Sequence, residues 1–450
     1  MERVVEPERK TVVLLVDNVR RDLPGSVLLA YLLDQRGIRC HLEPLESYKA
    51  VLAACRPGMI VFNHLVASHL VNYSNRLAQM NVLTAVLPNE MTYSEDAMVF
   101  LAGRYHKNAH IDVQFCWNEK FRQAIRDEGF QSRLEVVGMP RFDFYFEPWS
   151  AVFALPPQKK RPVVLFVFNF VLARWYEMGH DAAYKRFKDW SDKSDFSASY
   201  WENICLNHAN RQRAMQFLEA LVKSDRYHVI LRPHPLEDRQ FYYQWMADLS
   251  EQQKEHVEIN ADSNIGELIL RSDVSVVCEM CTTVLENWLA KRPLVQLAFD
   301  RSTPFYNQHT VHLNVECDQP DQLPDIIAQQ LTTAEANELI ERRKEHLEEW
   351  CATPTGDSTL RVAKVIEEML SNKPLTDWRK LVFKDYLRAV KWHALAALGL
   401  PFNWSPLLKI KSFLSNKYAM KVITQQKSIT PQHVRKLRKL FDERLGKKSA

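Results

Sequence analysis

Glycine is scarce, with 11 residues in a chain of 450. A loop that cradles phosphate needs several glycines close together, and neither G-x-G-x-x-G nor G-x-x-x-x-G-K-[ST] occurs. G-x-S-x-G and H-E-x-x-H are also missing, which excludes the nucleophile elbow of the α/β-hydrolases and the zincin helix. No apolar run reaches the roughly 18–20 residues that a membrane-spanning helix needs. The opening MERVVEPERK is charged and lacks a signal peptide's apolar stretch, so the protein is expected to stay inside the cell. Eight cysteines follow no repeated spacing, and the single C-x-x-C, Cys278 to Cys281, has no second pair at ligand spacing. Neither a metal site, a cofactor nor a disulfide framework is expected, and reduced thiols in the cytosol fit best.

What is present is an ordinary globular composition, 46% hydrophobic and 25% charged, over a length that suits about two to three domains. The charge is uneven. From Leu375 to Ala450 there are 17 Lys/Arg against 4 Asp/Glu, a net +13, while the whole chain is +4 and the remainder therefore −9. A basic tail on a mildly acidic body suggests that the tail meets an anionic surface.

Apolar runs alternate with amphipathic ones. TVVLLVD (11–17) has the continuous hydrophobicity of a strand buried on both faces. LPGSVLLAYLLDQRG (23–37) has helical spacing and a terminal glycine. RCHLEPL, GMIVFNHL (58–65) and VLTAVLPNE (82–90) continue the strands, with a helix before the last of them, and 112–143 extends the pattern. Residues 147–162 hold four prolines and a basic cluster and read as a linker. A second series follows: VVLFVFNF (163–170), YHVILRPHP, HVEINADS, SDVSVVCEM (272–280) and PLVQLAF (293–299), with CTTVLENWLAKRP as a helix. The pattern predicts an α/β protein with domains at 1–150 and 151–372 and a basic amphipathic tail at 373–450. Two such domains are expected to face one another across a cleft, with ligand beyond the carboxyl ends of the strands.

Four strand ends offer chemistry. In RPHP, prolines 233 and 235 hold Arg232 and His234 extended, and an arginine beside a fixed histidine suits a phosphate or carboxylate. The plain alternative is a strand exit with a surface histidine. In CEMCTTVLENW, Thr282 or Thr283 would cap a helix whose N-terminus attracts anions, with Glu286 one turn further on. An ordinary cap would look the same. In VVGMPRFDFY (136–145) glycine and proline turn the chain in a structural role, and in LPNEMTY the carboxylate of Glu90 is either a general acid/base or a solvated loop residue.

Taken in order, LLVDNVRRDLPGSVLLAYLLDQRG, GMPRFD, VLFVFNF, RPHPLED and CTTVLENWLAKRPLV resemble bacterial surface-carbohydrate biosynthesis proteins. These belong with the GT-B glycosyltransferases related to capsule Kdo transferases and CDP-glycerol glycerophosphotransferases. The resemblance spans about residues 11–370. It implies two Rossmann-like domains, a nucleotide-sugar donor held mainly by the second, and metal-independent transfer. It further implies that His234 and Pro235 contact the cytidine monophosphate part of the donor, that Thr282 and Thr283 hold its phosphate, and that Asn169 matches the family's strand-end asparagine. On this reading Arg232 joins His234 on the phosphate, Glu286 lies in the donor site and Glu90 is the catalytic acid/base.

In the tail, DWRKLVFKDYLRAVKWHALAALGL (377–400) interleaves apolar and basic residues, and Trp378, Leu381, Val382, Tyr386 and Val390 are expected to share a helical stripe. ITPQHVRKLRKLFDERLG (429–446) reads as a helix with Thr430 as cap, Pro431 first and Gly446 as stop. The aromatic and leucine content favours lipid over nucleic acid, although a helical hairpin packed on the body would carry the same sequence. The expected protein is a glycosyltransferase, peripheral at the inner face of the bacterial cytoplasmic membrane. It would move Kdo or a related acidic sugar from a CMP-type donor to a glycan or lipid-linked acceptor. The competing readings are a CDP-glycerol glycerophosphotransferase, a sugar-nucleotide epimerase and a non-catalytic export scaffold.

Overall fold

The computed structural model describes residues 10–446, apart from 66, 89–90, 93–94, 104–107, 154–160, 192–199, 279–280, 299–309, 334, 353, 401–403 and 405–427. The chain forms two compact units, one built from residues 1–152 and 346–450, the other from 153–345. Both are α/β, each around a parallel six-stranded sheet.

The first unit contains β1 (Thr11–Val16), β2 (Arg39–Pro44), β3 (Met59–Phe62), β4 (Leu83–Val86), β5 (Val113–Cys116) and β6 (Arg133–Val136), in the order β2-β1-β3-β4-β5-β6. Every residue of β1, β3 and β5 is buried, Gln114 of β5 included, as expected for interior strands of a parallel sheet covered on both faces. Because β2 lies at the sheet edge, it keeps polar residues and is only half buried.

The second unit contains β7 (Val163–Val167), β8 (His228–Arg232), β9 (Val257–Ile259), β10 (Val274–Cys278), β11 (Leu294–Leu297) and β12 (Val315–Cys317). Their order is β12-β11-β10-β7-β8-β9. Counted from β7 this is the doubly wound order 6-5-4-1-2-3, whose switch point falls between β7 and β10. The core of this unit joins Phe166, Phe168 and Phe170 on and beyond β7 to Phe217, Leu218 and Leu221 of the helix Tyr200–Lys223.

The sequence placed 151–372 in one domain. The structure returns the chain to the first unit at His346, so the helix Ser358–Asn372 lies there. The reason is a buried cap contributed from far away in sequence. Asp143 accepts from Ser358 N–H at 3.1 Å and from Thr359 N–H at 2.7 Å, which satisfies the open N-terminus of that helix. Burial raises the Asp143 carboxyl to about 6 against these stabilising donors.

The tail packs on the first unit too. The expected stripe beginning at Trp378 is not one helical face, because Trp378–Lys380 is a 3-10 turn and the helix proper is Phe383–Ala397. It is fastened by Asp385, fully buried, which receives Arg76 at 3.0 and 2.5 Å, Arg388 at 3.3 Å and Val382 N–H at 3.0 Å. Burial pushes the Asp385 carboxyl up, but these partners together bring it below the ordinary 3.8. Its stabilising contribution is therefore complete at neutral pH and is lost only as the pH falls below 3.8. Arg76→Ala is expected to cost about 3 kcal/mol, since it strips the main partner from a buried carboxylate. Limited proteolysis at neutral pH should then cut first within residues 373–397, and an unchanged digestion pattern would refute this anchor. The second tail helix, Pro431–Leu445, starts as expected, with Thr430 Oγ1 accepting from His433 N–H at 3.3 Å. Its Phe441 is buried against Tyr31 and Phe144, ring centroids 6.1 and 5.9 Å away.

Candidate functional site

In the second unit, register sets Arg232 of β8 opposite Val167 of β7, and Val167 opposite Val277 of β10. Asn169, His234 and Thr282 therefore follow three neighbouring strands at the same end of one sheet. With strands about 4.8 Å apart, the exits of β8 and β10 stand roughly 10 Å from one another across β7.

The loop after β8 is tightly determined. Pro233 removes a ladder donor and ends the strand, while Pro235 presets the turn that follows. Glu237 N–H returns to the His234 carbonyl at 2.9 Å, closing a four-residue turn. Within it, Leu236 N–H donates to His234 Nδ1 at 3.2 Å, and His234 N–H donates to Glu237 Oε1 at 2.7 Å. The other oxygen of Glu237 accepts the hydroxyl of Tyr242, and the carboxylate also takes a backbone hydrogen bond from Phe170. Glu237 and Tyr242 are both buried. Burial raises the Glu237 carboxyl in spite of these donors, and burial beside Glu237 holds the Tyr242 phenol well above its usual range.

The state of His234 follows. Burial, and then the nearby Arg232 charge, lower it from 6.5 to about 4. At neutral pH the ring is uncharged, and since Nδ1 is already an acceptor the proton belongs on Nε2. His234 is thus a fixed neutral hydrogen-bond donor. The sequence suggested that Arg232 and His234 act as a pair on an anion. Here Arg232 is buried, and its Nη1 donates to the Pro233 carbonyl at 2.9 Å, within the loop itself.

Beyond β10, the helix Thr283–Leu289 opens with Thr282 in the cap position, but the Thr282 side chain makes no capping hydrogen bond. Thr283 is buried, and its Oγ1 lies 3.0 Å from Cys281 Sγ. Glu286 is also buried, one turn on. Asn169 is half buried after β7. Glu90 lies outside the described residues.

Sequence reasoning overlooked several polar groups near these strands. Asn207 Oδ1, buried in the long helix, accepts from Leu172 and Ala173 N–H at 3.0 and 3.1 Å and so fixes the turn after β7. Arg211, buried, pairs with Glu177 and lies over the Phe241 ring at 3.9 Å. In the first unit the switch point lies between β1 and β3. Buried Asp22 there accepts from Arg21 Nε at 2.6 Å, Asn63 Nδ2 at 2.8 Å and Asn18 N–H at 3.1 Å, and burial raises its carboxyl. Among the described residues no group of three or more His, Cys, Asp or Glu could hold a metal ion, and no helix is long and apolar enough to cross a membrane.

No protein-family model matches the chain, and no curated protein matches it. Solved structures do resemble it in chain course. One is the wall teichoic acid polymerase TagF, in a form soaked with CDPG, at 13% identity and TM-score 0.48 over 81% of this chain and 89% of that one. Another is a putative UDP-N-acetylglucosamine 2-epimerase from Listeria monocytogenes, at 8% identity and TM-score 0.45, covering 80% and 96%. A third is Anabaena HepE in complex with UDP-glucose, at 14% identity and TM-score 0.38, covering 80% and 99%. At these identities and scores the likeness bears on no individual residue of the site. The α/β architecture with two parallel sheets, expected from the sequence, stands on the strand order itself.

Proposed function

We propose that the protein is a GT-B-type glycosyltransferase whose second unit binds a nucleotide-activated donor. The observation that carries this reading is the loop after β8, which spends a buried carboxylate, a buried phenol and two prolines on holding one neutral imidazole at the end of a doubly wound sheet. A surface strand exit has no need of such support. A fixed N–H donor one strand from the switch point suits the phosphate of a nucleotide donor, where it acts without reorganising as the leaving group takes up charge. In this reading His234 Nε2–H donates to the donor phosphate, Pro235 keeps the loop rigid, and Arg232 supports the loop from beneath. Asn169, Thr282 and Thr283 line the neighbouring strand exits, Glu286 braces the short helix, and Glu90 supplies the acid/base group. Transfer of Kdo or a related acidic sugar from a CMP-type donor to a surface glycan follows from the sequence resemblance, and CDP-glycerol is the alternative donor. The TagF likeness is too weak to choose between them.

The tail supports a site at an anionic membrane surface. Phe383, Tyr386, Leu387 and Val390 lie three and four residues apart on one helix face and are 76, 45, 53 and 67% exposed. The opposite face is held down through Asp385 and Ala389. A helix that displays its apolar stripe, flanked by Lys384 and Lys391, has the form of an interfacial segment.

A thermal-shift screen with CMP, CDP, UDP and ADP tests the donor reading. A cytidine nucleotide at a hundredfold excess over its dissociation constant should stabilise by about 2.7 kcal/mol. His234→Ala should lose that shift while melting cooperatively. If no nucleotide stabilises the protein, the transferase reading is wrong.

A further inference from the structure

The first unit holds a cavity of about 380 Å³ between the free edge of β2 and the two tail helices. Its walls have two characters. Trp392, Leu395, Leu400, Ile429 and Val434 provide an apolar surface, and Arg39, Arg435 and Arg438 stand around it. Arg438 is engaged with Asp34 at 3.0 Å. The side chains of Arg39 and Arg435 have no ion-pair partner among the described residues. The one carboxyl in the wall, Glu43, accepts from Trp392 Nε1 at 2.8 Å, and burial raises it to about 7, so at neutral pH it offsets only part of this positive charge.

Two guanidiniums without an ion-pair partner beside a hydrocarbon-lined hollow call for a ligand with both an anionic and an apolar part. The sequence from 401 to 427 supplies no counter-charge for these arginines. It carries five lysines and no Asp or Glu. We propose that this cavity binds a single anionic amphiphile, a phosphate-headed hydrocarbon chain, with the head at Arg39 and Arg435 and the chain against Trp392, Leu395 and Val434. This deepens the surface reading of the tail and is independent of the nucleotide reading. A bilayer phospholipid and a lipid-linked acceptor share this chemistry.

The test is calorimetric titration of the full chain with dodecyl phosphate below its micelle concentration, with dodecyl maltoside and inorganic phosphate alongside. Dodecyl phosphate should bind at one site, at least tenfold tighter than either control. Val434→Trp, which fills the hollow and keeps the charge, should weaken binding at least tenfold, and so should Arg39→Glu combined with Arg435→Glu, exposed positions whose change leaves melting unaltered. Equal binding of the maltoside, equal binding of inorganic phosphate, or parental affinity in Val434→Trp would each overturn the proposal. Flotation of the same variants with phosphatidylglycerol vesicles separates the two claims. Val434→Trp should still float, because the Phe383 face is intact. Loss of monomer binding with flotation retained in Val434→Trp supports the cavity as a distinct site. Flotation without any dodecyl phosphate binding by the parent leaves the membrane surface and removes the cavity. Where both hold, competition by phosphatidylglycerol vesicles for the dodecyl phosphate site marks a bilayer lipid as its natural source, and absence of competition marks a lipid-linked acceptor.

Discussion

Gly356→Ala should lower the melting temperature of the protein by about 3–6 °C, a destabilisation of about 3 kcal/mol. Two costs add. Gly356 has φ +81°, in the left-handed region, where a Cβ costs roughly 1–2 kcal/mol. That Cβ would also stand 2.5 Å from Phe146 Cβ and 2.9 Å from its Cγ, atoms close to the backbone that cannot swing aside. Displacing Phe146 also disturbs the hydrogen bond from Trp149 Nε1 to the Gly356 carbonyl, 3.0 Å long. Gly129→Ala is the control. Its φ is +82°, but nothing lies within 4 Å of the new Cβ, so it should show the backbone cost alone, about 1–2 kcal/mol. Equal melting of the two variants would mean that the contact between 146 and 356 does not hold the end of the first unit together.

That contact marks the limit of what the sequence could disclose. The strands were legible because parallel sheets buried on both faces demand continuous apolar runs, and TVVLLV, MIVF, VVLFV, HVILR and VSVVC supply them. β12, with only Val315, Glu316 and Cys317, gave no such signal, because a three-residue edge strand needs little hydrophobicity. The return of Ser358–Asn372 to the first unit was invisible for a different reason. It depends on Asp143 reaching helix N–H groups more than two hundred residues away, and no local pattern encodes that pairing. The turn at GMPRFD, by contrast, is legible in its glycine and proline, and Gly138 adopts φ +85° just ahead of Asp143.

The site divides in the same way. Prolines 233 and 235 announced that His234 is held rigidly. They did not announce what holds it, since Glu237 beside Asp238 reads as ordinary surface charge and Tyr242 as part of an amphipathic helix. Only the fold buries the carboxylate and the phenol against one another. The charge on the imidazole was also beyond the sequence, because it depends on burial and on the Leu236 N–H that occupies Nδ1. In the tail, the interleaved apolar and basic residues read as an amphipathic segment, and residues 383–397 form a helix. The stripe slipped by several positions because the helix starts only at Phe383, where Val382 N–H meets Asp385.

The neutrality of His234 has a second large consequence, in the pH dependence of stability. In the unfolded chain the imidazole takes a proton below its ordinary 6.5, whereas in the fold it does so only near 4. Between those values the unfolded state binds the extra proton, so stability falls as the pH falls. Over the full window this one group accounts for a loss of about 3 kcal/mol. Denaturant unfolding at pH 7 and pH 4.5 should show a smaller loss for His234→Gln than for the parent, the difference being about 2–3 kcal/mol. Other groups contribute equally to both proteins and cancel. Glu237→Gln should act on the same loop through its support. A carboxylate that receives the His234 N–H, the Tyr242 hydroxyl and a Phe170 backbone bond would become an amide with one oxygen, and its NH₂ would confront a donor. That substitution should cost about 3 kcal/mol at pH 7 and weaken nucleotide binding, because the imidazole is released from its orientation. It should also reduce the parental pH slope, since a loosened His234 regains water and titrates nearer 6.5. A Glu237→Gln protein that is destabilised yet retains the full slope and full nucleotide affinity would show that Glu237 supports the fold without positioning His234.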